Sequence, residues 1–382
     1  MMTPMRCILL VLGVIIPIHY ILSFAYEEYG KATFISSIAG KWTGPKLSPP
    51  YKTPVPDEYY KPDSLMHLQD RKANASFVIL VRNSELWGIM SSMKQLEDRF
   101  NRKFQYPYVF LNDQPFTQNF KDHIRALTNS TVEFGLIPPD HWHQPSWIDE
   151  DQASKSRDDM VRGNVIYGGS VSYRNMCRFN SGFFYRHELL QQYRYYWRVE
   201  PDIKLFCDVD YDPFLVMQDH NKVYGFTISI YEIQATVPTL WNVVKSFINA
   251  NPDFVTPGNA MEFLSDDGGE SYNMCHFWSN FEIADLDFWR GEAYSKFFEY
   301  LDEQGGFYYE RWGDAPVHSI GAALFAKKEQ IHFFNDIGYE HEPFLHCPQG
   351  DVYTKGKCWC DPDENVDYQR YSCLKRYDRL FS

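Results

Sequence analysis

The chain contains 382 residues, of which 44% are hydrophobic and 17% aromatic, enough for a sizeable core in one large domain or two smaller ones. Its formal net charge is -13 at pH 7, and the sequence offers no cluster of Lys and Arg to neutralise phosphates. This balance argues against a nucleic-acid-binding protein. It also indicates that an anionic ligand would need local cations or a metal ion.

The first predicted element is a membrane anchor. Nineteen uncharged residues at 7–25 are long enough, at about 1.5 Å per residue, to cross a hydrocarbon core of about 30 Å. Arg6 precedes this run and Glu27 and Glu28 follow it, so the positive-inside rule places residues 1–6 in the cytosol and the remainder in a lumen. A cleaved signal peptide is the alternative, but no small-residue cleavage site follows the run. We therefore predict a type II membrane protein.

A lumenal stem is predicted at 26–74, because six prolines between 41 and 63 favour extended chain over a packed element. The catalytic domain then occupies 75–382 and ends in a Cys-rich tail. Glycosylation sequons begin at Asn74 and Asn129, on the predicted lumenal side. These features are consistent with the secretory route.

The cysteines beyond the anchor are expected to meet an oxidising lumen. Their number is odd, so one thiol should stay free. They lie at 177, 207, 275, 347, 358, 360 and 373. The last four are close enough in sequence to suggest zinc, but their Cys-x-Cys spacing differs from the usual Cys-x-x-Cys knuckle. Disulfides that tie down the tail are the favoured interpretation.

Buried strands and amphipathic helices alternate along the lumenal part. The predicted strands are 75–83, 106–111, 132–137, 191–199, 203–207 and 223–230, and the predicted helices are 86–100, 116–127, 239–248 and 315–326. This alternation predicts an α/β domain with a predominantly parallel sheet, whose strand carboxyl ends bind nucleotides. Arg82, Asn83 and Asp113 fall at such ends, where helix caps are also common. Phosphate-binding loops of nucleoside triphosphatases and dinucleotide-binding enzymes are absent from the sequence.

Two acidic motifs could hold a metal ion. Glu200 and Asp202 flank a proline directly after an aromatic strand, and Asp208 and Asp210 form a literal Asp-x-Asp. Transfer from a nucleoside diphosphate sugar releases a diphosphate, whose charge a carboxylate-bound divalent cation can neutralise. Asp212, next to the second motif, looks like a helix cap. Spacing alone leaves the choice between the two motifs open.

The block Tyr195–Asp202 (YYWRVEPD) resembles the signature of the fungal α-1,2-mannosyltransferases, glycosyltransferase family 15. Further blocks at 173–179, 222–226, 272–284 and 309–319 are similar to that family, and the resemblance extends from about Ser76 into the Cys-rich tail. It implies a GT-A-like nucleotide-sugar-binding fold, with a mixed, mostly parallel central sheet flanked by helices. It also implies that GDP-mannose is the donor and Mn²⁺ the cofactor.

The same resemblance implies roles for individual residues. Glu200 stands at the metal-binding position of the family's Asp-x-Asp equivalent, and Asp202 is expected near the donor. His341 matches the second metal ligand, although Glu340 before it departs from the residue expected there. Tyr173 and Asp314 match residues that the family places around the donor and the acceptor.

The candidate catalytic residues are Glu282 and Asp314. Glu282 matches the family's candidate nucleophile, which could attack the anomeric carbon or only stabilise its positive charge in a reaction on one face of the sugar. Without the resemblance, Glu282 would be read as an ordinary helix carboxylate. Arg82, at the first strand end, is assigned to donor binding. His318 lies on the helix after Asp314 and is interpreted as a packed core histidine.

The sequence therefore predicts a retaining α-1,2-mannosyltransferase of the Golgi membrane, acting on mannosylated N- or O-linked glycans of glycoproteins. A catalytically inactive lumenal mannan-binding or scaffold relative is the main alternative. A metal-dependent glycosidase also uses two carboxylates, but the Glu-Pro-Asp element and the anchor argue against it.

Overall fold

The computed structural model describes residues 71–382. The predicted cytosolic tail, anchor and nearly all of the stem lie outside the described residues and remain predictions. Within 71–382, every helix is too short or too polar to span a bilayer.

The described chain folds as an α/β structure. Its strands are β1 (Ala75–Leu80), β2 (Tyr108–Asn112), β3 (Val132–Leu136), β4 (Tyr195–Arg198), β5 (Lys204–Leu205), β6 (Tyr224–Phe226), β7 (Ser229–Tyr231), β8 (Cys275–Phe277), β9 (Glu282–Asp285), β10 (Ile331–Phe333), β11 (Tyr339–His341) and β12 (Phe344–His346).

The helices are α1 (Leu86–Leu96), α2 (Arg102–Phe104), α3 (Gln118–Arg125), α4 (Pro139–Trp142), α5 (Glu150–Arg162), α6 (Val171–Gly182), α7 (Pro213–Asp219), α8 (Leu240–Ala250), α9 (Met261–Leu264), α10 (Leu286–Arg290), α11 (Glu292–Glu303), α12 (Gly306–Tyr309), α13 (Asp314–Phe325), α14 (Gly350–Lys355) and α15 (Leu374–Arg379). A π-helical turn at Glu97–Asn101 continues α1.

The central sheet has seven strands in the order β10-β6-β9-β4-β1-β2-β3. All of its neighbours are parallel except β9, which runs antiparallel to both β4 and β6. Two small antiparallel sheets, β12-β11-β5 and β7-β8, complete the described strands. The predicted mixed, mostly parallel sheet is therefore confirmed.

Both faces of the central sheet are covered. Along β1, Phe77 and Ile79 pack into one apolar core with α1, α3 and α7, whereas Val78 packs into a second core with α6, α8, α11 and α13. Because strand side chains alternate between faces, a strand buried on both sides is expected to be mostly apolar, as β1 is apart from Ser76. This three-layer arrangement leaves the strand ends as the place for polar side chains.

One predicted strand is divided in the structure. The stretch 223–230 forms β6 in the central sheet and β7 in a different sheet. Phe226 packs into one core while Ile228 packs into the other, so the chain rotates between them and leaves the central sheet. An apolar run predicts burial on both sides of that turn, but it carries no signal for the turn itself.

Disulfides secure the tail, as predicted. They join Cys207 to Cys358, Cys275 to Cys373 and Cys347 to Cys360. The zinc alternative is therefore wrong, because these sulfurs are consumed in covalent bonds. Cys177 on α6 stays a free, fully buried thiol, and burial raises its pKa.

Alkylation in denaturant without reductant, followed by peptide mapping of the full chain, should place a label on Cys177 and leave the six disulfide-bonded cysteines unlabelled. Without denaturant, Cys177 should also stay unlabelled, because its thiol is buried and resists ionisation. Label on any of Cys207, Cys275 or Cys347 in denaturant would contradict this disulfide pattern.

Candidate active site

The candidate site lies where β4 ends and β9 begins. Because these strands are antiparallel, Arg198 at the end of β4 is paired with Glu282 at the start of β9. The chain after β4 continues directly into Glu200 and Asp202. Asp314, the first residue of α13, accepts a hydrogen bond from Arg198 and so belongs to the same site.

A buried guanidinium holds two of the predicted site residues. Arg198 donates from Nε to Glu200 Oε1 at 2.7 Å and from Nη1 to Asp314 Oδ2 at 2.6 Å. Ser279 Oγ also donates to Asp314 Oδ2, at 2.7 Å. Burial opposes ionisation of Asp314, but Arg198 outweighs it and keeps the pKa of this carboxyl below its usual value. Asp314 is therefore an anion at neutral pH.

Glu282 is a buried strand residue, with only 1% of its surface exposed. The expectation of a helix carboxylate is wrong, because β9 pairs with β4 and β6 on its two sides. Tyr196 donates to Oε1 of Glu282 at 2.6 Å, and Tyr224 donates to Oε2 at 3.1 Å. His318 Nδ1 lies 3.0 Å from the same Oε2. Both oxygens of this carboxylate are thus fixed by neighbouring strands and by α13.

Glu282 and Arg198 also line a small cavity. Its polar lining includes Asn180 and Tyr196, and apolar side chains of β1, β2 and α6 close the rest. Burial, and then the charge of Glu282, raises the pKa values of Tyr196 and Tyr224 well above their usual range. Both phenols therefore remain protonated donors to the carboxylate.

Arg82 and Tyr173, both predicted to bind the donor, lie at neighbouring positions. The Arg82 guanidinium donates to the hydroxyl of Ser172, the residue before Tyr173. The Tyr173 ring stacks on Tyr167 and lies under the Arg311 guanidinium. Burial raises the pKa of Tyr173 well above its usual value, and the charge of nearby Asp314 contributes to this rise. This links the Tyr173 region to Asp314.

Asp202 occupies a strained backbone position against α1. Its φ is 60°, in the left-handed region, and its N–H donates to the Gly88 carbonyl at 3.2 Å. A side chain at Gly88 would place its Cβ 2.7 Å from the Asp202 carboxylate. The absence of a side chain at Gly88 thus allows the turn after β4 to lie against α1.

His341 ends β11, a strand that approaches Glu200. Burial, followed by the charge of Glu200, raises the pKa of Tyr339 in the same strand. The Nδ1 atom of His341 is buried without a hydrogen-bond partner, and its ring packs edge-on against Trp278. Glu340, the residue that departs from the family pattern, forms an ion pair with Lys204. An unpartnered imidazole nitrogen fits a metal ligand.

Glu200 and His341 alone do not make a complete metal site. Among residues 71–382, no group of three or more His, Cys, Asp or Glu side chains is placed to hold a metal ion. A metal ion at Glu200 and His341 would therefore need further ligands, such as diphosphate oxygens and water.

The competing acidic motif is engaged in other contacts. Asp208 forms ion pairs with Arg99 at 2.6 Å and Lys357 at 3.6 Å, and Asp210 lies 3.7 Å from Lys103. Asp212 caps α7 by accepting from two backbone N–H groups, as predicted. Glu200 is also paired, but with Arg198, which contacts Asp314 as well, whereas the partners of Asp208 and Asp210 lie outside this cluster. This placement favours Glu200 as the metal-binding element.

Several residues of the site were missed by sequence reasoning. They are Tyr196, Arg198, Tyr224 and Ser279. His318 is packed in the core, as predicted, but its Nδ1 also contacts Glu282. All of them lie inside the sequence blocks that carry the family resemblance. Their position in these blocks is the sequence signal that could have identified them, because the residues that they contact are far away along the chain.

Comparisons with known proteins agree with this geometry. Residues 47–380 match the family model described as glycolipid 2-alpha-mannosyltransferase. The chain belongs to this family. It is 55% identical to glycolipid 2-alpha-mannosyltransferase 2 of Candida albicans, over 81% of this chain and 68% of that protein. It is 52% identical to glycolipid 2-alpha-mannosyltransferase of Saccharomyces cerevisiae, over 92% and 79%.

Solved structures extend the match to the fold. Core-mannan synthase A from Aspergillus fumigatus, in its Mn/GDP form, is 44% identical with a TM-score of 0.77, covering 81% of this chain and 85% of that one. The S. cerevisiae mannosyltransferase Ktr4p in complex with GDP is 42% identical with a TM-score of 0.78, covering 81% and 82%. The predicted GT-A-like fold and glycosyltransferase class are confirmed.

Replacing Arg198 with Met should lower the free energy of unfolding at pH 7 by about 3–5 kcal/mol, because buried carboxylates lose their cation. The lowered pKa of Asp314 means that its stabilising contribution is present at neutral pH and is lost as pH falls through the folded-state pKa. The difference between wild type and Arg198→Met should therefore shrink in acid, as measured by urea unfolding at several pH values.

Arg71→Met provides the matched control. Arg71 pairs with Asp219 at 2.7 Å, but both side chains are exposed, so its loss should lower the free energy of unfolding much less than the loss of Arg198. An equal loss in the two variants, or a difference for Arg198→Met that does not change with pH, would contradict the role assigned to this buried cation.

Proposed function

We propose that this chain transfers mannose from GDP-mannose to mannosylated glycans, forming α-1,2 linkages with retention of configuration. The observation that carries the proposal is the buried arrangement of Glu282, Arg198 and Asp314 beside the Glu-Pro-Asp element. Family membership supports the sugar and the linkage. The structures of Ktr4p in complex with GDP and of core-mannan synthase A in its Mn/GDP form support a GDP-linked donor.

Retention by double displacement needs a nucleophile on the face of the anomeric carbon opposite the diphosphate, whereas a reaction on one face is assisted by a negative charge that stabilises the cationic transition state. Glu282 supplies that charge at the cavity wall. Tyr196 and Tyr224 fix its orientation, which avoids reorganisation during the reaction. Asp314, held by Arg198 and Ser279, is placed to orient the acceptor hydroxyl or to accept its proton.

Mn²⁺ is the proposed cofactor, with Glu200 and His341 as its protein ligands. Carboxylate oxygen and imidazole nitrogen suit this ion, and the unpartnered Nδ1 of His341 leaves a ligand position open. When bound, the ion would neutralise charge that develops on the departing diphosphate. Arg82, Tyr173 and Asp202 are proposed to hold the donor. Core-mannan synthase A was solved in a Mn/GDP form, which supports this choice.

The enzyme is proposed to act in the Golgi lumen as a single-pass type II membrane protein. This rests on the uncharged run at 7–25 and its flanking charges. The acceptor is proposed to be a mannosylated N- or O-linked glycan of glycoproteins. An O-glycoside alpha-1,2-mannosyltransferase of Schizosaccharomyces pombe is 49% identical over 82% of this chain, which supports the O-linked class.

The direct test is incubation with labelled GDP-mannose and a panel of α-mannosides, followed by determination of the linkage and anomeric configuration of the product. An α-1,2-linked product is expected. Binding of mannosides or GDP without transfer would instead support the alternative of an inactive mannan-binding relative.

Replacing Glu282 with Gln should abolish most transfer while donor binding survives, because the amide keeps the size and removes the charge. A loss of about 4 kcal/mol of transition-state stabilisation corresponds to a roughly thousandfold lower kcat. Binding of GDP, which lacks the sugar, should be nearly unchanged. Near-wild-type turnover in a folded Glu282→Gln variant would make Asp314 the next candidate for the catalytic carboxylate.

Activity should depend on a divalent metal, with Mn²⁺ the most effective. Glu200→Gln should sharply raise the Mn²⁺ concentration needed for half-maximal activity, because it removes an anionic ligand. Asp210→Asn is the matched control and should change it little, since Asp210 faces Lys103 at the surface. Equal metal sensitivity in the two variants would return the metal site to Asp208 and Asp210.

A further inference from the structure

His318 is a buried histidine whose two ring nitrogens both have partners. It lies on α13 with 0% of its surface exposed. Its Nε2 lies 2.9 Å from the carbonyl oxygen of Asn180, and its Nδ1 lies 3.0 Å from Glu282 Oε2. A buried histidine needs partners for its ring nitrogens, and here one of the two partners is the carboxylate of the candidate catalytic residue Glu282. Its position therefore bears on the site as well as on the packing of the core.

The two contacts constrain the protons on the ring. A carbonyl oxygen only accepts, so Nε2 must carry a hydrogen and donate it to Asn180. A neutral ring would then have an unprotonated Nδ1, which could meet Glu282 only if the carboxyl were protonated. If Glu282 is ionised, both ring nitrogens carry hydrogens and His318 is an imidazolium. In either case, one proton lies between His318 Nδ1 and Glu282 Oε2.

The surroundings favour the proton on His318. Tyr196 and Tyr224 already donate to Glu282, and a third donor completes the set that stabilises a carboxylate. The ring of Trp289 stacks on the imidazole with centroids 4.5 Å apart, which favours a cation. The Asn180 carbonyl belongs to the last turn of α6, where the helix dipole also favours positive charge.

Charge balance points the same way. The buried anions Asp314 and Glu282 lie beside the largely buried guanidinium of Arg198, which is already paired with Asp314 and Glu200. A second cation next to Glu282 reduces the cost of burying its charge. The titratable and charged side chains that face the pair from β4, β6, α11 and α13 are Tyr196, Arg198, Tyr224, Tyr294 and Asp314.

We propose that His318 is a positioning residue which, as an imidazolium, keeps Glu282 ionised and fixes the direction of its carboxylate. This inference rests on the proposed function of Glu282, but it concerns a different residue and can be tested without turnover. His318 does not reach the sugar itself. It acts through Glu282, by holding a proton at Nδ1 and donating a charge-assisted hydrogen bond.

The decisive measurement is the protonation state of His318 by ¹⁵N NMR of the histidine-labelled protein at pH 7, assigned by the signals lost in His318→Asn. Two protonated ring nitrogens are expected in the wild type, and a neutral ring is expected in Glu282→Gln. A neutral His318 in the wild type would overturn the proposal. This experiment gives an answer even if no transfer from GDP-mannose is found, an outcome that would refute the proposed function instead.

Turnover of two variants provides a second test. His318→Asn places an amide donor near the position of Nδ1, whereas His318→Gln extends its amide toward the Asn180 carbonyl and loses the bond to Glu282. Loss of one hydrogen bond to a charged group predicts a kcat about tenfold to a hundredfold lower for His318→Gln, with partial rescue in His318→Asn. The KM for donor should change little in both. Equal kcat losses in the two variants would indicate a structural role.

The pH dependence separates charge from packing. An adjacent imidazolium makes a carboxylate harder to protonate, so the acid limb of kcat should lie at higher pH in His318→Asn than in the wild type. His346→Asn is the matched control, because His346 forms a buried pair with Asp367 at 2.9 Å outside the candidate site. It should lower stability and leave the acid limb unchanged. An unshifted acid limb in a folded His318→Asn variant would refute the proposal.

Discussion

The site depends on one largely buried guanidinium that contacts two carboxylates. Arg198 lies at the end of a central strand, where both faces of the sheet are covered, and it contacts Glu200 and Asp314 directly. Removing such charges from water costs several kcal/mol per ion, and the ion pairs recover that cost only with good geometry. The arrangement is therefore weak evidence for stability. It is better explained as a preorganised field for a reaction in which charge moves.

The direction of β9 is the structural feature that assembles this field. Were β9 parallel to β4, its first residue would lie at the opposite end of the sheet, far from the end of β4. Because β9 is antiparallel, Glu282 lies beside Arg198, and the neighbouring strands β4 and β6 bring Tyr196 and Tyr224 to its carboxylate. The antiparallel direction of β9 in a mostly parallel sheet thus places Glu282 at the edge of the sheet where nucleotides bind in α/β folds.

Sequence reasoning recovered the parts of the fold that are locally encoded. Apolar runs predicted β1, β2 and β3 within a few residues, because the central strands β1 and β2 are buried and mostly apolar and the edge strand β3 keeps apolar residues at alternate positions. It could not recover interactions between distant segments. Arg198 and Asp314 are 116 positions apart, and Glu282 and His318 are 36 apart, so neither pair leaves a local pattern. Nor does the local sequence identify Glu282 as a strand residue, because β9 pairs with segments that lie far away along the chain.

The disulfide-bonded tail is structurally connected to the proposed metal site. His341 belongs to β11, which pairs with β5 through Tyr339 and Leu205, only a few residues beyond Glu200. The next strand, β12, pairs with β11 and is followed by Cys347, which is bonded to Cys360 in the tail. On the other side of β11, Cys207 follows β5 and is bonded to Cys358. Each disulfide reduces the freedom of the hairpin that carries His341. The disulfides therefore restrain the segment that carries the proposed metal ligand His341, and such bonds form in the oxidising type of compartment that the sequence predicts.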